Sequence, residues 1–168
     1  MKLITEEIKL DENSVPNDVV SFAYAGGFMK NSRDPKLLFE YLKNSEINFR
    51  FFIFNNQPEF YEPLKKSIGE KLIVSSIIPR EELLQLLNKM DFLVNLEFDP
   101  ENQVPSKLID YSLVKKPILL IQNKNFQPDV IDEFLQRNYT NQFKINNLEK
   151  YNIKNVAKKF VALANEQK

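Results

Sequence analysis

Five short apolar runs punctuate the chain, at residues 19–25, 49–54, 71–75, 92–96 and 118–121. Each is rich in β-branched and aromatic side chains and is apolar nearly throughout, without strict alternation. A strand covered on both faces requires that pattern, because both rows of its side chains meet helices and not water. Between the runs the spacing turns helical. Asp34 is a good N-cap and Pro35 a good first helical residue, followed by Leu38, Tyr41 and Leu42 on one face. Pro79 opens a second helix, with Glu81 and Glu82 in the first turn, where the helix dipole favours carboxylates. Its apolar stripe is Leu83, Leu86, Leu87 and Met90. Pro105 opens a third, and Ile153, Val156, Ala157, Phe160 and Ala164 mark a long C-terminal one. Strand–helix alternation of this kind implies right-handed crossovers. The expected fold is a Rossmann-like three-layer α/β/α domain with a mainly parallel sheet of about six strands.

Residues 1–18 do not share the pattern. Asp11, Glu12, Asn13, Ser14, Pro16 and Asn17 are turn and linker residues, so this stretch reads as a lead-in to a domain over 19–168. The chain shows no internal repeat and no low-complexity tract.

Composition narrows the chemistry. At 168 residues the chain makes one domain with a sizeable core, and 43% hydrophobic against 27% charged residues is the balance of a soluble globule. Lys and Arg total 23 against 23 Asp and Glu, so there is no basic excess to coat a nucleic-acid backbone. No Cys and no His are present, which excludes disulfides, thiolate nucleophiles, Ser-His-Asp arrangements and imidazole metal sites. Carboxylates, amines, guanidinium groups, hydroxyls and backbone amides remain. Glu6, Glu7 and Lys9 interrupt the start, unlike a signal peptide, and the longest later apolar run, 117–121, is too short to span a bilayer. These features read as a cytoplasmic protein.

In an open parallel sheet, ligands bind beyond the carboxyl ends of the strands, where helix N-termini point free amides. Three loops belong there. The first contains Gly26, Gly27, Lys30 and Arg33: the glycines let amides approach a phosphate and the cations add charge beside it. It lacks the spacing of a dinucleotide fingerprint or a P-loop, and a plain turn with solvent-facing charges explains it equally well. The second, Ser75, Ser76, Ile77 and Ile78, offers an apolar end for the flat face of a base, or a loop tucked onto the core. The third runs through Asn102, Gln103 and Pro105 into Ser106, Lys107 and Asp110. Lys107 and Asp110 share a helix face, presenting an ammonium to a diphosphate and a carboxylate to a pair of sugar hydroxyls. The plain alternative is a surface Lys–Asp pair worth little energy.

A resemblance favours the ligand reading. Pro105-Ser106-Lys107-Leu108-Ile109-Asp110-Tyr111, followed by Lys116-Pro117-Ile118-Leu119, resembles the donor-site signature of GT-B glycosyltransferases. It is similar, more narrowly, to the C-terminal nucleotide-sugar-binding domain of the group 1, family 4 type. Phe22-Ala23-Tyr24-Ala25-Gly26-Gly27 resembles the first strand and glycine turn of that domain, and Arg33-Asp34-Pro35 its first helix start. Ile77-Ile78-Pro79-Arg80-Glu81-Glu82-Leu83, leading to Met90-Asp91-Phe92-Leu93-Val94, resembles its helix, aspartate and strand. In that family a glutamate seven residues before the proline of a G-x-P step binds the donor ribose; Asp110 takes that position relative to Pro117. The family's second glutamate falls at Asn102, and its glycine at Lys115.

The resemblance implies the donor-binding half of a two-domain enzyme that moves a sugar from a nucleotide-sugar in polysaccharide, glycan or glycolipid synthesis. Its donor-binding residues would be Gly26, Gly27, Lys30, Arg33, Ile78, Asn102, Gln103, Ser106, Lys107 and Asp110, with catalytic residues unassigned. It implies no cofactor and no metal, since basic side chains and a helix N-terminus meet the leaving-group charge. An N-terminal acceptor domain, in cis or in trans, would be the partner, and peripheral membrane association of the complete enzyme is compatible with it. A non-catalytic subunit that keeps the fold and pairs with a catalytic partner is the alternative.

Overall fold

A computed structural model describes residues 19–28, 33–57, 61–96, 106–145, 155 and 157. The expected lead-in at 1–18, Lys30, Asn102, Gln103, Pro105 and most of the expected C-terminal helix lie outside the described residues.

The elements run β1 (Val20–Ala25), α1 (Lys36–Lys43), β2 (Phe49–Phe54), α2 (Glu62–Ile68), β3 (Leu72–Ser75), α3 (Arg80–Asn88), β4 (Phe92–Leu96), α4 (Ser106–Val114), β5 (Ile118–Ile121) and α5 (Pro128–Leu135). All five strands are parallel, in the order β3-β2-β1-β4-β5. This is the Rossmann-like α/β domain expected, with five strands among the described residues where about six were expected. Past α5 the Phe143 amide donates to Ile118 O (2.8 Å) beside β5 without adding a strand there.

Every strand bound agrees with the apolar runs to within one residue. Val19 falls just before β1, and Lys71 ends a short 3-10 turn before β3. The reason for the agreement is burial: β4 is covered along its whole length and β1 along all but its last residue. Two cores result, one on each sheet face. On one, Leu38, Phe39 and Leu42 of α1 meet Ile131, Phe134 and Leu135 of α5 over the sheet. On the other, Leu84 and Leu87 of α3 pack with Leu108, Tyr111 and Val114 of α4.

Helix α1 starts one residue later than expected, with Pro35 at the cap position, and Asp34 before it accepts a hydrogen bond from the Lys36 amide (3.0 Å). The stripe on α3 needs correction. Leu84 and Leu87 are its buried residues, while Leu83 and Leu86 pack only partly against the core. Of the expected row, Leu87 and Met90 are buried, and Leu84, outside it, takes the central place that Leu83 and Leu86 were expected to fill. Helices α2 and α5 go beyond what the spacing suggested. Asp91, expected to precede a strand, ties the amino-terminal edge of the sheet. It accepts from the Ser21 amide (2.7 Å) and pairs with Arg137 (3.2 Å), well away from the loops read as ligand-binding. No helix among the described residues is long and apolar enough to cross a membrane.

Candidate functional site

Strand order reverses between β1 and β4. The connections through α1 and α2 build the sheet outward on one side, and those through α3 and α4 build it on the other. The crevice at such a switch point is where an open α/β sheet has room for a ligand. Here β1 and β4 pair only at Phe22 with Phe92 and Ala23 with Leu93, then separate. The Tyr111 hydroxyl sits where the ladder stops, accepting from the Ala25 amide (3.0 Å) and donating to Val94 O (3.2 Å). One side chain of α4 thus holds the two central strands at the mouth of the crevice. Complete burial pushes its phenol pKa up, so it remains a neutral donor and acceptor.

The glycine turn follows β1 directly. Gly26 has φ 145°, open to glycine and strained for other residues. Its amide donates to Phe54 O (3.0 Å) and its carbonyl accepts from Asn55 Nδ2 (2.7 Å). The Tyr24 hydroxyl donates to Gly27 O (2.8 Å), pinning the next residue. A Cβ on Gly26 would lie 3.3 Å from the Tyr24 hydroxyl and 3.8 Å from Lys107 Cδ. Gly27 has nothing within 4 Å of the same position. Gly26→Ala is therefore expected to cost about 1–3 kcal/mol in urea unfolding, with Gly27→Ala much milder. Equal losses at the two positions would show that the turn is not held as described.

Lys107 enters this turn from α4. Its Nζ is buried, has no hydrogen-bond partner among the described residues, and stands 4.1 Å above the centre of the Tyr24 ring. The ring face gives an ammonium some electrostatic compensation but no acceptor. Burial, reinforced by the positive charge of Arg33, brings the amine down to about 7 from an ordinary 10.5. An anion delivered to this point would satisfy the amine and restore its charge.

Asp110, one turn further along α4, faces a different neighbour. Arg80, the first residue of α3, donates from Nε (3.0 Å) and Nη2 (2.6 Å) to the same Asp110 oxygen, Oδ1. Lys107 and Asp110 therefore do not form the surface pair that was the plain alternative. They point to β1 and to α3 respectively.

No protein-family model matches the chain, and no curated protein matches it. Solved structures do. The lipopolysaccharide outer core galactosyltransferase WaaB, in its apo form, is similar over 100% of this chain and 53% of its own, with 15% identity and a TM-score of 0.56. AviGT4, a glycosyltransferase involved in avilamycin A biosynthesis, is similar over 90% of this chain and 52% of its own, with 9% identity and a TM-score of 0.54. The chain shares the Rossmann-like α/β fold of the matched part of these two structures. It spans about half the length of these two structures.

Within that domain the expected site residues divide. Gly26, Gly27, Lys107 and Tyr24 meet at the switch point, and the charge of Arg33 is felt there by Lys107 and Tyr24. Ser106 opens α4. Ile78 packs against the core on the α3 side, while Ile77 before it is 56% exposed, so only half of that loop is tucked in. Lys30, Asn102 and Gln103 fall outside the described residues. Lys115, where the resemblance has a glycine, adopts a left-handed φ of 53° past the end of α4, the geometry a glycine takes without strain.

Four residues were not named for the site: Tyr24, Arg80 and Tyr111 stood in the quoted runs without a role, and Asn55 stood in none. Each acts through a partner remote in sequence or through the backbone, so no local spacing announces it. Asn95 in β4 is also fully buried, with neither side-chain polar atom hydrogen-bonded to a described residue. Its position in an otherwise apolar strand was the available signal.

Proposed function

We propose that this chain is the donor-binding half of a glycosyltransferase, using a nucleoside diphosphate sugar as donor. The observation that carries the reading is Lys107: a buried amine without an acceptor among the described residues, above Tyr24 and beside the Gly26–Gly27 turn, at the switch point of the sheet. A diphosphate supplies the acceptors that Lys107 lacks, and the α4 N-terminus adds amides for the same charge. Asp110, one turn along, offers a carboxylate to the adjoining sugar. The likeness to two glycosyltransferases supports the same reading.

Residues 19–168 form the donor domain and 1–18 lead into it. An acceptor domain, in cis or in trans, supplies the other wall of the cleft, in a cytoplasmic enzyme of polysaccharide, glycan or glycolipid synthesis. Ammonium and guanidinium groups meet the leaving-group charge, so the transfer is metal-independent. The domain alone lacks the wall that positions an acceptor and excludes water, and so binds donor without acceptor-dependent transfer.

A thermal-shift series of UDP, GDP, CDP, their sugar conjugates and the parent nucleosides tests this. At least one nucleoside diphosphate at about 100 times its Kd should raise the midpoint by roughly 5–10 °C. Its nucleoside should not. If no diphosphate shifts the midpoint, or nucleosides do so equally, the reading is wrong.

A further inference from the structure

Arg80 and Asp110 are 30 positions apart, yet their side chains form one unit that joins the start of α3 to α4. Arg80 follows directly on Pro79, whose φ of −51° sets the entry to α3. Two of its N–H groups converge on Oδ1 of Asp110, at 3.0 and 2.6 Å. The other carboxylate oxygen, Oδ2, accepts no hydrogen bond from a described residue. The pair stays open to solvent, with 42% of the Arg80 side chain and 26% of that of Asp110 exposed.

We propose that Arg80 is a positioning residue that restricts Asp110 to one sugar hydroxyl. An unrestrained carboxylate turns freely and offers both oxygens to two vicinal hydroxyls, as the spacing of Lys107 and Asp110 alone suggested. A guanidinium with two donors on Oδ1 stops that rotation and occupies that oxygen, because its fork is planar and rigid. Only Oδ2 is left for the ligand. The site then distinguishes the 2′ from the 3′ hydroxyl of a ribose, which a carboxylate gripping both does not. Lysine at the same position keeps the charge and loses the fork. This inference rests on the proposed nucleotide site, and the experiment separates the two.

The measurement is calorimetric binding of whichever of UDP, GDP and CDP binds tightest, with its 2′-deoxy and 3′-deoxy analogues, to the wild type, Arg80→Ala and Arg80→Lys. Inorganic pyrophosphate, which has no sugar, reports the Lys107 side independently. In the wild type, loss of one hydroxyl should weaken binding roughly tenfold and loss of the other less than about twofold. In both variants the two losses should become equal to within about twofold. A merely structural role for Arg80 would change overall affinity or stability and leave that ratio alone. Equal losses in the wild type, or a ratio that survives both substitutions, overturn the role of Arg80 and leave the nucleotide site standing. Pyrophosphate binding through Lys107 without any sensitivity to either hydroxyl overturns it as well. Failure of both pyrophosphate and nucleotides to bind overturns the site itself, and the role of Arg80 with it.

Discussion

Replacing Lys107 by methionine should make the protein more stable and a much weaker binder of diphosphate. The amine is buried over Tyr24 with no acceptor among the described residues, so keeping it charged there costs desolvation that none of their hydrogen bonds returns. Methionine has a similar length and no charge to desolvate. Urea unfolding near pH 7 should show a gain of about 1–3 kcal/mol, while pyrophosphate affinity falls roughly 10–100-fold. The pH dependence has a definite sign. Lys107 loses its proton near 7 in the folded state and near 10.5 when unfolded, so between those values the unfolded chain binds more protons. Wild-type stability contributed by this group therefore rises with pH across that window, and the variant lacks the rise. Lys116 is lowered by burial in the same direction and is present in both proteins, so the difference between the two curves isolates Lys107. Binding behaves oppositely: the anion needs the protonated amine, so affinity declines as pH climbs above about 7. A variant that is less stable, or that binds pyrophosphate as the wild type does, would remove Lys107 from the site.

The second large effect lies in the sheet. Phe22, Phe51 and Phe92 are register partners across β1, β2 and β4. Their rings stack in a row, with Phe22 4.6 Å from each neighbour and nearly parallel to Phe92. Phe134 of α5 then meets Phe92 edge-on at 5.1 Å. Removing the middle ring leaves a cavity between two rigid strands that cannot close over it. Phe22→Ala should cost about 3–5 kcal/mol, a large part of the roughly 5–15 kcal/mol that holds a domain folded. Phe22→Leu fills most of the volume and should lose clearly less. Denaturant midpoints at constant m-value decide the matter: a loss below about 1 kcal/mol for the alanine variant would mean that the row is not a unit.

The two predictions mark how far one-dimensional pattern reaches. The strands were legible because each is buried on both faces, and continuous apolarity survives in the sequence whatever its neighbours are. The start of α1 was legible because Asp34 and Pro35 act within a few residues of themselves. Helix α2 left little trace, since none of its residues is buried and it carries no strong stripe. Helix α5 did carry a signal, with Pro128 opening it and Ile131, Phe134 and Leu135 at helical spacing.

The candidate site divides in the same way. Gly26, Gly27, Lys107 and Asp110 could be named from the sequence, because a glycine pair after a strand and a cation at a helix start are local features. What each side chain meets was decided by the fold. Spacing made Lys107 and Asp110 partners on one face, whereas the crossover connections turn the first towards Tyr24 and the second towards Arg80. Tyr111 reaches Ala25 across 86 positions because α4 packs over the point where β1 and β4 separate. Burial, register and the choice among competing partners depend on how whole elements pack. The sequence by itself determined the elements, their order and the edge where chemistry gathers; only the tertiary structure decided which amine is left without an acceptor and which carboxylate is already engaged.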